Sequence, residues 1–277
     1  MNRIDLKSVV TYLDTEYPVM LAESWDNVGL LVGDFSAAVG VIMTCLTITP
    51  EVCEESVAKK VDLIVSHHPF PFQAIKRITS QTVEGSMLLR LISHGIAVYS
   101  PHTAHDSAKD GVNQQLAAIL ELSDVTPLNA NNSGRIGNRK QSGTLLSGVL
   151  QIIERRLGAC SYVGEINKPI NRIAIGCGSA DDFIDEASKQ GADVLLLGEA
   201  RFHACLRAQS LQLALILPGH FASEHFAMKT LAQKIATQFP TISCFPSESE
   251  QDVIKRYDNT SEMTSKKCEQ LKSSPPC

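Results

Sequence analysis

Paired cysteine motifs, a broad basic surface and long uncharged apolar runs are all missing from this sequence, and each absence removes a class of function. The eight cysteines, Cys45, Cys53, Cys160, Cys177, Cys205, Cys244, Cys268 and Cys277, are scattered with no CxxC pair. That argues against a thiolate metal site. Cys45 and Cys177 sit inside apolar runs and read as small buried hydrophobes, so reduced thiols and a cytoplasmic setting are expected. The formal net charge of −5 leaves no broad positive field for nucleic acid. No stretch is apolar for long enough to cross a bilayer. Arg3 and Asp5 stand where a signal peptide would need its apolar segment. What is present is ordinary for a globular protein: 277 residues, 44% hydrophobic and 20% charged. That length suffices for one large or two modest domains with real cores. Small molecules and other protein chains are the expected partners.

Apolar runs alternate with helical periodicity along most of the chain. Strands are expected at 28–33, 39–46, 61–65 and 96–99, and again at 173–176, 194–197 and 213–217. Helices are expected at 6–17, 50–60, 84–94, 110–122, 146–157, 181–190, 201–209 and 223–239, with Thr49 as a cap before Pro50. Continuous apolar strands between helices imply a sheet buried on both faces, hence an α/β class. The two halves also look alike. Cys45, a helix and the run 61–65 parallel Cys177, a helix and the run 192–197. Ser100-Pro101-His102 parallels Pro218-Gly219-His220, and a carboxylate follows each histidine four residues on, Asp106 and Glu224. Internal duplication is the economical reading, against the general likeness of all α/β units. The expected division is a first α/β half at 1–125, a connector at 126–138 around the polar turn Asn129 to Gly134, and a second half at 139–247. The segment 248–277, rich in Ser, Glu, Lys and Pro, is expected to be disordered.

Histidines cluster at the ends of the apolar runs. His67 and His68 close the run beginning at Asp62, His102 follows the run ending at Tyr99, and His220 follows the run ending at Leu217. In open α/β sheets the carboxyl ends of strands are where loops converge and ligands bind. Imidazole with carboxylate suits divalent zinc, iron, manganese or cobalt. Successive strand side chains point opposite ways, so His67 and His68 would reach two different ions rather than one. A carboxylate shared by those ions would hold them roughly 3.5–4 Å apart, the spacing of a two-metal hydrolytic site. The residues alone leave the ligand set open among His67, His68, His102, Asp106, His220 and Glu224. Each pair also has a plainer reading as a core feature, a local cap or a helix start. His94, His105 and His225 are expected to be solvated or locally bonded. Glu199 and His203, beyond the run 194–197, are candidates for a further wall or a proton donor, or simply a surface helix start. Gly176 to Ala180 is too short a glycine turn to serve as a nucleotide fingerprint, and Arg135 in the turn 133–137 could touch an anion. No serine or cysteine has a convincing base and elbow.

Four stretches taken together go further: Glu23-Ser24-Trp25-Asp26-Asn27-Val28-Gly29-Leu30, Ser66-His67-His68-Pro69, Tyr99 to Asp106 with Gly111-Val112-Asn113, and Gly219-His220 with Ser223-Glu224. In order and spacing they resemble the hallmark motifs of the Nif-three-like family, the GTP cyclohydrolase I type 2 homologues, over about Leu6 to Ser247. The resemblance implies two similar α/β/α halves with a dinuclear metal site in the cleft between them, and dimers building a toroidal hexamer. It puts the ligands on His67, His68, Asp106, His220 and Glu224, makes Glu224 the bridge and moves His102 to the pocket wall. The chain departs from the family pattern after Phe245, where the usual Asp-Pro-Phe-like ending is not evident. Longer members carry a domain inserted between the halves where this chain has only the connector.

The function expected on this basis is a hydrolase using two divalent ions per chain on a nucleotide or phosphoester. The ions would polarise a ring or phosphoryl oxygen and make hydroxide available, with Glu199 or His203 donating a proton. The competing class is a non-catalytic metal-binding adaptor or metal-handling protein whose partners read its assembled surface.

Overall fold

The computed structural model describes residues 3–255 and is an α/β protein built on two main sheets. The first sheet runs in the order β13 (Ser243–Pro246), β4 (Val41–Cys45), β5 (Leu63–Ser66), β6 (Ala97–Ser100) and β2 (Gly29–Val32). All its pairings are parallel except β2 on β6. The second sheet runs β7 (Leu122–Thr126), β8 (Arg135–Arg139), β10 (Arg172–Ser179), β11 (Val194–Glu199), β12 (Ala214–Leu217) and β9 (Ser161–Val163). Here β10, β11 and β12 are parallel, and β8 and β9 flank them antiparallel. The first sheet therefore has four consecutive parallel strands and the second three, each with an antiparallel neighbour on the last. A small pair, β1 (Ile4–Asp5) with β3 (Ala38–Val39), stands apart.

The helices start where local chemistry satisfies their free amides. Asp5 accepts from Ser8 N at 2.6 Å to open α1 (Leu6–Glu16). Thr49 accepts from Val52 N at 3.3 Å ahead of Pro50 in α2 (Pro50–Ala58), and Thr82 from Gly85 N at 3.1 Å in α3 (Val83–Ser93). The remaining helices are α4 (His102–Ser107), α5 (Val112–Ile119), α6 (Leu146–Leu157), α7 (Ile184–Lys189), α8 (Phe202–Ser210), α9 (His220–Glu224) and α10 (Phe226–Gln238).

Period-two alternation sorts the strand side chains between cores. Ile42, Leu63 and Val65 of the first sheet, and Ile173, Ile175, Val194 and Leu196 of the second, join one shared core with α1, α5, α6 and α10. Met43 and Ile64 point the other way, onto α2 and α3. Ala174, Leu195 and Leu197 point onto α7 and α8. Both sheets are thus covered on both faces, as uniformly apolar strands require.

The sheets do not follow the division expected from the sequence. β7 lies largely within 1–125 yet pairs into the second sheet, while β13 lies within 139–247 yet pairs into the first. The expected connector 126–138 contains most of β8. Its sequence hides a strand because Arg135 and Arg139 are charged yet buried, 4% and 9% exposed. Arg135 donates to the carbonyls of Asn132, Gly134, Ser107 and Ala108, so it is consumed by the backbone and not offered to an anion.

The segment after β13 also departs from the expectation of disorder. Glu55 on α2 accepts from the amides of Glu248 and Ser249 and from the hydroxyls of Ser247 and Ser249. The side chain of Glu250 is buried, and only the part of 248–277 beyond 255 lies outside the described residues. Burial alone would raise the Glu55 carboxyl, but these hydrogen bonds and Lys59 outweigh it and bring it down to about 2. A carboxyl held low in the folded state adds stability that is complete above its unfolded value and is lost as pH falls through its folded one. Glu55→Gln should therefore unfold at a lower temperature than wild type at pH 7, with the gap closing between about pH 4.5 and pH 2. Paired thermal melts across that range check it.

Candidate metal centre

Three strand ends converge on one point. His67 and His68 follow β5 directly, and their amides continue the ladder to Cys45 O and Leu46 O at 2.9 and 2.8 Å. α4 begins at His102 just after β6 and carries Asp106. α9 begins at His220 just after β12 and, one turn on, carries Glu224. A fourth strand end, that of β10, adds Gly178, whose φ of +62° turns the strand under the carboxylate. A side chain at Gly178 would put its Cβ 2.2 Å from Glu224 Oε1, so only glycine leaves room there.

Glu224 is 3% exposed and lies at the centre. Its Oε2 is 3.1 Å from His68 Nε2, 3.1 Å from His220 Nε2 and 3.8 Å from His67 Nε2. His67 Nε2 is in turn 3.5 Å from Asp106 Oδ1, and His68 Nε2 is 3.3 Å from His220 Nε2. Donor atoms within mutual reach form three groups: His67, Asp106 and Glu224; His68, His220 and Glu224; and His67, His68 and His102. The first two share Glu224 alone. All five residues that the resemblance marks as ligands therefore meet, and His102, assigned to the pocket wall, stands among them.

The donor set fits divalent cations on several counts. Ligands held 2.0–2.1 Å from a tetrahedral ion lie ~3.4 Å from one another, close to the separations seen here. Both ring nitrogens of His67 and Asp106 Oδ1 are buried without a hydrogen-bond partner, a costly arrangement that a cation would relieve. Three imidazoles have Nδ1 tied to an oxygen: His68 to Thr47 Oγ1 at 2.7 Å, His102 to Asp26 Oδ1 at 2.7 Å and His220 to Glu199 Oε1 at 3.0 Å. Holding Nδ1 in this way fixes the ring and leaves Nε2 free to face a metal.

Charge follows the same logic. Burial and the neighbouring Glu224 raise the Asp106 carboxyl. Burial would raise Glu224 too, but contacts with His220, His68 and His67 outweigh it and keep it ionised below the usual carboxylate range. Burial pushes His67 well down, toward the neutral ligand form. His220 is raised to about 9, chiefly by its hydrogen bond to Glu224, with burial opposing and Glu199 assisting.

Glu199 thus touches the cluster through His220, with its side chain half exposed. His203 does not join it. The residue is exposed on α8 with its ring against Phe202, and it belongs to none of the metal-competent groups among the described residues. The helical turn past β11 carries it onto the outer surface. His105 is not solvated either: it is 1% exposed, against Tyr17 at 4.7 Å between centroids, and burial takes it down to about 3. His94 bonds locally to Arg90 O, and His225 stacks on Phe221.

Several contributors were given no role at the site from the sequence. Asp26 holds His102 and Thr103 from 76 positions away. Asn113 accepts from Cys177 N at 2.8 Å and donates to Asp106 O at 3.1 Å, joining α4 to the second sheet. Cys177, taken for a plain hydrophobe, lies against the Asp106 carboxyl and keeps its thiol protonated through burial and that neighbouring charge. Two cavities open onto the cluster. One of about 450 Å3 is lined by polar groups including Asp106, Asn131, Ser133 and Ser179, with Trp25 at its rim. The other, about 610 Å3, reaches His68, His220 and Glu199 along a more apolar wall of Leu157 and Phe221. Both fall within the ~300–1,000 Å3 of small-molecule sites.

The family model described as Duf34/NIF3 (NGG1p interacting factor 3) matches residues 4–252. The chain belongs to this family. A Clostridium acetobutylicum protein named "GTP cyclohydrolase 1 type 2 homolog" is 33% identical over 84% of the chain and 90% of its own length. A Schizosaccharomyces pombe protein named "Protein NIF3 homolog" is 33% identical, covering 84% of the chain and 89% of its own length. Among solved structures, a Bacillus cereus protein related to NIF3 superposes with a TM-score of 0.85 over 93% of this chain and 100% of its own, at 18% identity. A Staphylococcus aureus structure gives 0.83 over 92% of this chain and 99% of its own, at 26% identity. Both solved structures share this chain's fold, and the candidate ligands lie inside the region the family model matches.

Two predictions come from the cluster. Gly178→Ala should weaken zinc uptake ~10–100-fold, the usual loss when a ligand's support is displaced, while circular dichroism stays that of the wild-type fold. His220 holds a proton up to about pH 9 before a metal displaces it, so zinc binding at pH 7 should release protons and its affinity should rise until about pH 9. Calorimetry in two buffers of different ionisation enthalpy measures that release.

Proposed function

We propose that this NIF3-family chain is a metal-dependent hydrolase using two divalent ions, acting on a nucleotide or phosphoester. Glu224 carries the reading: a single buried carboxylate oxygen faces His68, His220 and His67 at once, which is the arrangement a bridging ligand needs. His67 and Asp106 would complete one site, and His68 and His220 the other. Bound there, the ions supply Lewis acidity to a carbonyl, ring or phosphoryl oxygen. The protein's own side chains do the rest. Asp26, Thr47 and Glu199 fix the imidazole rings. Glu199, half exposed beside the larger cavity, is placed to accept or return a proton at its edge. The polar lining of the smaller cavity suits a substrate rich in hydrogen-bonding groups. The names of the curated relatives support a GTP cyclohydrolase-like substrate without establishing one.

A second reading, a metal-binding interaction protein, draws on Val83, Leu89 and Ile92 of α3, exposed at 64%, 42% and 51%. The hexamer implied by the resemblance belongs with this proposal. The discriminating experiment is turnover. Zinc- or manganese-loaded protein should consume GTP or a phosphoester. Glu224→Gln should lower the rate by at least ~100-fold, since losing a shared ligand removes several kcal/mol of stabilisation. No turnover across a broad panel, with two equivalents of metal confirmed present, overturns the hydrolase and leaves the interaction protein.

A further inference from the structure

We infer that Glu250, in the segment beyond the last strand, is a positioning residue for the metal site, acting on His68 through Thr47. The inference rests on the metal reading above.

The backbone between β4 and α2 lies beside the cluster, and Glu250 holds it. Its side chain is 4% exposed, and its two oxygens accept separately from consecutive amides, Oε2 from Leu46 N and Oε1 from Thr47 N, both at 2.8 Å. The same stretch is held from the other side, because Leu46 O accepts from His68 N at 2.8 Å. Its next contact is the ligand itself: Thr47 Oγ1 lies 2.7 Å from His68 Nδ1. Glu250 therefore fixes the main chain that carries the hydroxyl that orients the imidazole. Oε2 also faces His225 Nε2 at 3.5 Å.

The position of Glu250 is itself secured. Ser247 N donates to Thr44 O at 2.8 Å, and Glu55 clips the amides of 248 and 249, so the strap is fastened just before the carboxylate turns inward. A buried carboxylate that satisfies two adjacent amides is a costly way to fasten a strap to the surface, since water would solvate all three groups. The arrangement is accounted for if the geometry of Thr47 matters. Partners behind a ligating histidine typically set metal affinity by 10–100-fold, because they fix tautomer and ring orientation. The effect should be confined to the ion drawn to His68, His220 and Glu224. The ion drawn to His67, Asp106 and Glu224 meets this chain of bonds through the shared Glu224 and not through a ring that Thr47 orients.

Zinc(II) titration of the full chain, by chelator competition, tests this with four variants. Wild type should bind two equivalents. Glu250→Gln puts an amide NH2 against one of the two N–H groups, and Thr47→Val removes the hydroxyl. Each should weaken one equivalent ~10–100-fold and leave the other unchanged. Thr47→Ser should restore wild-type binding. Glu55→Gln, which loosens the same strap without touching 46–47, should weaken that one equivalent no more than Glu250→Gln does and leave the other unchanged, whereas a merely structural strap would weaken both. Should Glu250→Gln fail to fold, Thr47→Val and Thr47→Ser decide. Wild-type affinity for both equivalents in Glu250→Gln or Thr47→Val, or equal loss of both, overturns the inference and spares the metal reading. No zinc uptake by the wild-type chain overturns both.

Discussion

A carboxylate taken out of water must be answered by positive charge or by donors, and in this protein the answer to Glu224 organises much of the rest. The residue rides on the second sheet, yet two of the imidazoles around it come from the end of β5 in the first. Closing that contact sets how the two sheets meet. Gly178 gives up a side chain for it, and Ser223 Oγ accepts from Gly178 N at 3.0 Å to hold the turn beneath. Asn113 crosses the same junction, tying Asp106's backbone to Cys177. The site and the junction of the two sheets are one feature, so disturbing either disturbs both.

Preorganisation is the second theme. His68, His102 and His220 each present Nε2 inward because an oxygen holds Nδ1 outward. The three oxygens come from a threonine, an aspartate and a glutamate on three different segments. A ligand cluster whose rings are already oriented loses little freedom when an ion arrives. The electrostatic cost is met in advance by the fold, which keeps His67 neutral and Glu224 ionised.

Much of this was legible in the sequence, for identifiable reasons. Parallel strands buried on both faces leave uninterrupted apolar runs, and histidines at their ends stand out against them. His220 and Glu224 announce themselves because four residues make one helical turn. The illegible parts are long-range or disguised. Asp26 and His102 are 76 positions apart, and Leu46 and Glu250 are 204 apart, so no local pattern pairs them. β8 escaped because a buried arginine bonded to carbonyls looks in sequence like a surface one. The site was readable where backbone periodicity displays it and hidden where side chains from distant segments support it.

The interlocking of the two sheets has a consequence for how the chain is made. β4 is formed by residues near the start, but the partner along its edge, β13, and the covering helix α10 are among the last described segments to leave the ribosome. Until they emerge, an apolar parallel strand stands with one edge unpaired, the kind of surface that recruits other unfinished chains. Contacts of such sequence separation also form slowly. The span of chain that seals the first sheet therefore sets the interval during which nascent copies are exposed to one another, and the strap that follows β13 closes it.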